Sequence, residues 1–180
     1  MKILTLIFFL IFFTSCSNKE TAKETNLQQV KYSFENILDY GNKDTLFIKS
    51  QFEDCGEWGG HNELIKIYRS ERKIKLAYIK YKVDNCGERN NMGSIIQKKD
   101  ITENLILSHS QQLGLMNYIN ALMKSRFLDK EISNSGNSFA LSNVKGDLRF
   151  SYYGDHSLPL NNYNDLMAIL KFPKVVIQNR

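Results

Sequence analysis

The 180-residue chain has few of the residues that usually advertise a function: three cysteines, three histidines, two prolines and one tryptophan. There is no CxxC pair, which removes the commonest frame for a structural zinc site. There is no GxSxG, no HExxH and no phosphate-cradling glycine loop, so the familiar hydrolase, zinc-protease and nucleotide signatures are missing too. No repeat at solenoid period is visible. Both prolines, Pro159 and Pro173, lie late, which leaves the first half free of proline as a strand breaker. The longest apolar run, Ile3 to Phe13, is broken only by Thr5. It is shorter than the about 20 residues a helix needs to span a bilayer. The formal net charge is +5. The lysines are scattered along strands and loops rather than gathered on one helix, the pattern of a solvated surface, so no nucleic-acid partner is expected. Such a balance implies at most a mild attraction to anionic lipid or polysaccharide.

What is present begins with "MKILTLIFFLIFFTSC". One positive charge, a short apolar core and small residues before a cysteine are the marks of an export signal that ends in a lipobox. Residues 1–15 are therefore expected to be a signal peptide, and Cys16 to carry lipid after cleavage. Multiple acylation there would hold the protein on a membrane without a transmembrane helix. "SNKETAKETNLQQ" follows, with no aromatic residue and only one large aliphatic, Leu27. Such a segment cannot bury enough surface to order itself, so residues 16–29 read as a flexible tether. Residues 30–180 suit one domain. A chain of about 150 residues buries about 70% of its extended surface and needs neither metal nor disulfide to fold.

Within that domain "VKYSFENIL" is weakly periodic, while "DTLFIKSQF", "ELIKIYR" and "KIKLAYIKYKV" have the β-branched and aromatic character of strands. "SHSQ" offers Ser108 and Gln111 as a capping box. From there Leu113, Met116, Ile119, Leu122 and Met123 make an apolar stripe, which predicts a helix over 110–126. "SFALS" and "DLRFSYY" read as strands joined by a tight turn at Gly146. A second helix is predicted from about Asn162, with Asp165 in its first turn, burying Tyr163, Leu166, Met167 and Leu170 and stopping before Pro173. The expected fold class is α+β: an antiparallel sheet of about five to seven strands with two helices packed on it.

The chemistry concentrates in "DCGEWGGHNE", residues 54–63. A symmetric turn around Arg69–Arg72 would pair Ile67 with Ile74, Ile65 with Leu76 and Lys66 with Lys75. Carried outward, that register sets His61 opposite Lys80, Trp58 opposite Val83 and Cys55 opposite Cys86. Cysteines directly across an antiparallel pair can reach bridging distance, and an oxidising envelope favours the bond, so a Cys55–Cys86 disulfide is expected. Gly56, Gly59 and Gly60 suggest a bulge or kink beside it. Other readings compete. "CGE" recurs at Cys55 and Cys86, so two Cys-x-Glu arms with His61 could bind a metal, although the leading expectation has neither metal nor cofactor. Glu57, His61 and Glu63 could serve as general acids or bases. Against this, a histidine beside glycines usually holds its loop by hydrogen bonds, and a glutamate at a strand start is usually solvated. Trp58 could anchor a partner or pack over the disulfide. His109 and His156 read as surface or capping residues.

"DTLFIKSQFEDCGEWGGHNELIKIYR" resembles the core segment of small lipoproteins of the Bacteroidota that carry a CGEWGGH segment. The resemblance covers about residues 32–86. The group has no assigned activity, so the resemblance implies location rather than mechanism: an outer-membrane anchor, facing the periplasm or the surface. Together these features lead to a membrane-anchored envelope protein, a non-enzymatic binding module for a protein or glycan. Two alternatives are a hydrolase or metal-dependent enzyme using Glu57 and His61, and an immunity-type inhibitor of an envelope toxin.

Overall fold

The computed structural model describes Phe34, Leu38 and residues 44–56, 59–128, 136–154 and 157–177. The signal segment, Cys16, the tether, Glu57, Trp58 and His156 lie outside the described residues. The elements are β1 (Thr45–Gln51), β2 (Asn62–Ser70), β3 (Lys73–Lys82), β4 (Lys98–Ile106), α1 (His109–Leu128), β5 (Asn137–Asn143), β6 (Arg149–Gly154) and α2 (Ser157–Leu170). The strands form one antiparallel sheet in the order β4-β3-β2-β1-β5-β6. Both helices contribute to the core on one of its faces. The class is α+β, as expected, and "DTLFIKSQF" and "DLRFSYY" share the sheet through β5.

Period-2 alternation builds the covered face. Leu46 and Ile48 of β1 oppose Ile67 and Ile65 of β2, which oppose Leu76 and Tyr78 of β3. All six are buried, each aliphatic one contributing about 1.5–3 kcal/mol relative to exposure. The register differs from the symmetric-turn expectation by two residues. Ile67 faces Leu76 rather than Ile74, Ile65 faces Tyr78 rather than Leu76, and Lys66 faces Ala77 rather than Lys75. The cause is the turn. Glu71 and Arg72 both have positive φ, 53° and 60°, which makes a two-residue hairpin of the type that matches strand twist. Neither residue is the Gly or Asn that would mark such a turn in a sequence. A shift of two keeps each side chain on its face, so the apolar and polar sides survive the error.

Three further elements depart from the sequence expectation. β4 was not foreseen; "KKDITENLI" is an edge strand, mostly exposed, with charges that blunt the edge and hide the alternation. In "VKYSFENIL", Phe34 is helical rather than in a strand and accepts a bond from Leu38 N at 2.9 Å. α2 begins five residues earlier than expected, with Pro159 tolerated near its start, so Asp165 lies past the first turn.

In α1 the buried stripe is Leu115, Met116, Tyr118, Ile119 and Leu122, while Leu113 and Met123 are exposed. The capping box forms: Ser108 N donates to Gln111 Oε1 (3.0 Å), and Gln111 N donates to Ser108 Oγ (3.3 Å). α2 buries Tyr163, Leu166, Met167 and Leu170 as expected. It ends with Lys171 at φ 67°, where Lys171 N donates to Ala168 O and Phe172 N to Met167 O, a Schellman close. That turn lays Phe172 flat on Tyr78, with ring centroids 4.4 Å apart.

Replacing Ser108 with Ala removes the hydroxyl half of the capping box. Urea unfolding should show a loss of about 1 kcal/mol, and an unchanged midpoint would contradict the cap.

Candidate functional site

Two long connections leave the same end of the sheet: residues 52–61 between β1 and β2, and residues 83–97 between β3 and β4. The first folds back on itself. Phe52 N donates to His61 O, Cys55 N to Gly59 O and Gly56 N to Glu53 O. Gly60 makes this approach feasible, because a Cβ there would sit 2.3 Å from the Phe52 carbonyl oxygen and 2.6 Å from Asp54 N. Gly59, at φ 89°, takes a backbone conformation that other residues rarely adopt.

The two connections are joined by the Cys55–Cys86 disulfide, with Cα atoms 5.5 Å apart and a sequence separation of 31. Closing that loop stabilises the fold by roughly 3–4 kcal/mol on the chain-entropy model. The cysteine pairing came out right although the strand register behind it did not. Both cysteines lie beyond the β2–β3 ladder, where the glycine-rich loop absorbs the two-residue difference.

Behind the disulfide runs a chain of ionisable groups. His61 Nδ1 bonds Asp54 Oδ2, which also accepts from His61 N at 3.0 Å. His61 Nε2 lies 3.3 Å from Glu63 Oε1. Glu63 opposes Lys80 across β2 and β3, and Lys80 Nζ stands 3.5 Å from Glu63 Oε1. From α2, Tyr163 Oη donates to Glu63 Oε2 at 2.7 Å. The imidazole stacks on Phe52, centroids 4.8 Å apart. Tyr163 in turn packs against Phe52, Phe139 and Tyr118.

The Glu63 side chain has no exposed surface, which corrects the expectation of a solvated strand-start acid. Alternation decided its place: Glu63 shares parity with Ile65 and Ile67, so it points under the helices. The register also corrects Lys80, which faces Glu63 rather than His61. Asp54, Lys80 and Tyr163 were not anticipated as members of this cluster. The hairpin register sets Lys80 against Glu63, and the turn residues Glu71 and Arg72 carry no sequence signal of it.

Burial works against every charge here. For His61, burial disfavours the proton, but the Asp54 and Glu63 carboxylates outweigh it and raise the imidazole above its ordinary 6.5. Burial likewise pushes Glu63 up, and the bonds from His61 and Tyr163 together with the charge of Lys80 pull it below 4.5. Asp54 is lowered below 3.8, its burial offset by His61. The Tyr163 phenol is raised by burial and by the Glu63 charge. The two flanking carboxylates favour an imidazolium between them.

That state bears on chemistry. A general base needs a free lone pair, and both His61 ring nitrogens face carboxylates. His61 and Glu63 do come together as the sequence suggested, but as a clamp that ties the loop to the sheet and to α2. Cys55 and Cys86 have no thiols to offer a metal, and among the described residues no group of three His, Cys, Asp or Glu is placed to hold one. His109 starts α1 and is exposed. Outside the clamp lies a cavity of about 230 Å³ lined by Asp54, Cys55, His61, Lys80, Tyr81, Lys82, Val83, Cys86 and Val176. No family model and no curated protein matches the chain.

The shifts set a pH window. A raised pKa in the folded state gives His61 a stabilising contribution that is complete below 6.5 and lost as pH rises through the raised value. The lowered carboxylates contribute above 4.5, and their contribution is lost as pH falls through the lowered values. Melting temperature should therefore plateau between 4.5 and 6.5 and decline on both sides. In His61→Gln the alkaline decline should disappear; an identical alkaline limb in both proteins would contradict the clamp.

Proposed function

We propose that the protein is a membrane-anchored binding module of the bacterial cell envelope that holds a protein or glycan ligand at the loop end of its sheet. The observation that carries this reading is the bracing of that end. A covalent bridge, which a core of this size does not need for folding, joins two loops, and a buried charge clamp fixes one of them. Fixing loops in advance lowers the ordering cost of association. The committed nitrogens of His61 weigh against the enzyme reading. The disulfide agrees with an oxidising compartment, and the apolar start followed by Cys16 supplies a means of export and anchoring.

Membrane fractionation followed by purification in mild detergent tests the proposal. The protein should sediment with membranes and leave them in Cys16→Ser. It should co-purify with a partner whose recovery drops about tenfold in the Cys55→Ser, Cys86→Ser variant, because the loops are no longer pre-ordered. A chain that sits on membranes yet purifies alone, with or without the disulfide, would refute a binding role.

A further inference from the structure

We infer that the face of the sheet opposite the helices is a binding surface for an acidic polysaccharide, a chain carrying uronate-type carboxylates. This inference stands apart from the loop-end reading, and its surface meets the loop end only at the β3–β4 connection.

Strand parity gathers lysines that are far apart in sequence. Residues paired directly across strands share a face. The pairings put Lys49, Lys66, Lys73, Lys75, Lys99 and Arg149 on the side away from Leu46, Ile65 and Leu76. No Asp or Glu in the described strand pairings lies on that side. Glu103 opposes Tyr78 on the helix side, and Asp100 is unpaired at the irregularity in β4. Among the described residues, only Lys75 of these six cations has an ion pair, with Glu71 of the turn. The face is thus of one sign and largely unneutralised, which draws an anion.

The arrangement has a direction. Lys49, Lys66 and Lys75 sit on three successive strands, each one strand across and two residues along from the last. Strand spacing and rise place their backbones about 8 Å apart along a diagonal. Beside it runs a parallel diagonal of rings, Phe47 on β1 and Tyr68 on β2. A line of ammonium groups beside two half-buried aromatic residues suits a polymer whose units offer both a carboxylate and an apolar sugar face. Where the face meets the β3–β4 connection, a hollow of about 370 Å³ is lined by apolar Tyr81, Ile95 and Ile96 and by polar Asn62, Asn90, Ser94 and Gln97. Amides and hydroxyls around an aromatic ring can satisfy sugar hydroxyls. A lipid headgroup layer would use the charges but leave the ring line and the amide hollow without a task. A disulfide-bonded chain works outside the reducing compartment, where single-stranded nucleic acid is the less available polyanion.

The test is affinity electrophoresis of the full chain in neutral detergent through gels containing polygalacturonate, with dextran gels as the neutral reference. Polygalacturonate should retard the protein, dextran should not, and added salt should weaken the effect. Lys49→Gln, Lys66→Gln, Lys75→Gln combined should raise the apparent Kd about tenfold. The combination Lys124→Gln, Arg126→Gln, Lys174→Gln removes the same charge from exposed positions outside the strands and should change it less than about twofold. Circular dichroism confirms that each variant is folded. No retardation, or equal loss in both triple variants, would overturn the inference. So would stronger competition by phosphatidylglycerol-doped micelles or by oligothymidylate than by soluble polygalacturonate at equal charge, which would assign the face to a membrane or to nucleic acid.

Discussion

A glutamate with no exposed side-chain surface sets the terms for this fold. Glu63 occupies a core position of β2, where an unpaired carboxylate would cost several kcal/mol. Each neighbouring element supplies part of the remedy: β3 brings Lys80, α2 brings Tyr163, and the β1–β2 loop brings His61. His61 in turn needs Asp54, and the close return that places Asp54 needs Gly60. Removing one partner from such a buried set leaves an uncompensated charge, typically a loss of 3–5 kcal/mol. The loop most suggestive of chemistry is therefore also the one most constrained by a structural requirement.

Much of this was legible in the sequence where a local rule decides the outcome. The alternation of Leu46 and Ile48, the Ser108–Gln111 box and the α2 stripe of Tyr163, Leu166, Met167 and Leu170 all depend on neighbours in the chain. Legibility failed where distant groups decide. Glu63 looks like a solvated strand-start acid until Lys80 and Tyr163 stand opposite it. The β2–β3 register turns on Glu71 and Arg72 accepting positive φ, which their identities do not announce. β4 is stabilised by pairing with β3 rather than by its own pattern, and its edge charges conceal it. In α1, Leu115 and Tyr118 replaced Leu113 and Met123 in the core, because the helix is rotated to meet α2 at Gly114, where a Cβ would lie 2.8 Å from Ile169 Cγ2.

The two sides of the sheet follow different logic. Around Glu63 on the covered side acids and bases are mixed and paired, and burial makes that pairing obligatory. On the open side the charges are of one sign, and sequence distance hid their assembly. Scattered lysines read as ordinary solvation along the chain; strand parity converts them into a diagonal. The loop end and the open face thus offer two recognition surfaces with different chemistry, one braced and compact, the other extended and cationic.

Everything said of the loop end rests on His61 being a charged strut rather than a neutral base. Nitrogen-resolved NMR of the imidazole reads that state without relying on activity or stability. Followed with rising pH, His61 should keep protons on both Nδ1 and Nε2 beyond the ordinary value of 6.5. In Asp54→Asn the titration should fall back toward the ordinary range. An imidazole that loses a proton at or below the ordinary value in the unaltered protein would contradict the clamp and return His61 to candidacy as a general base.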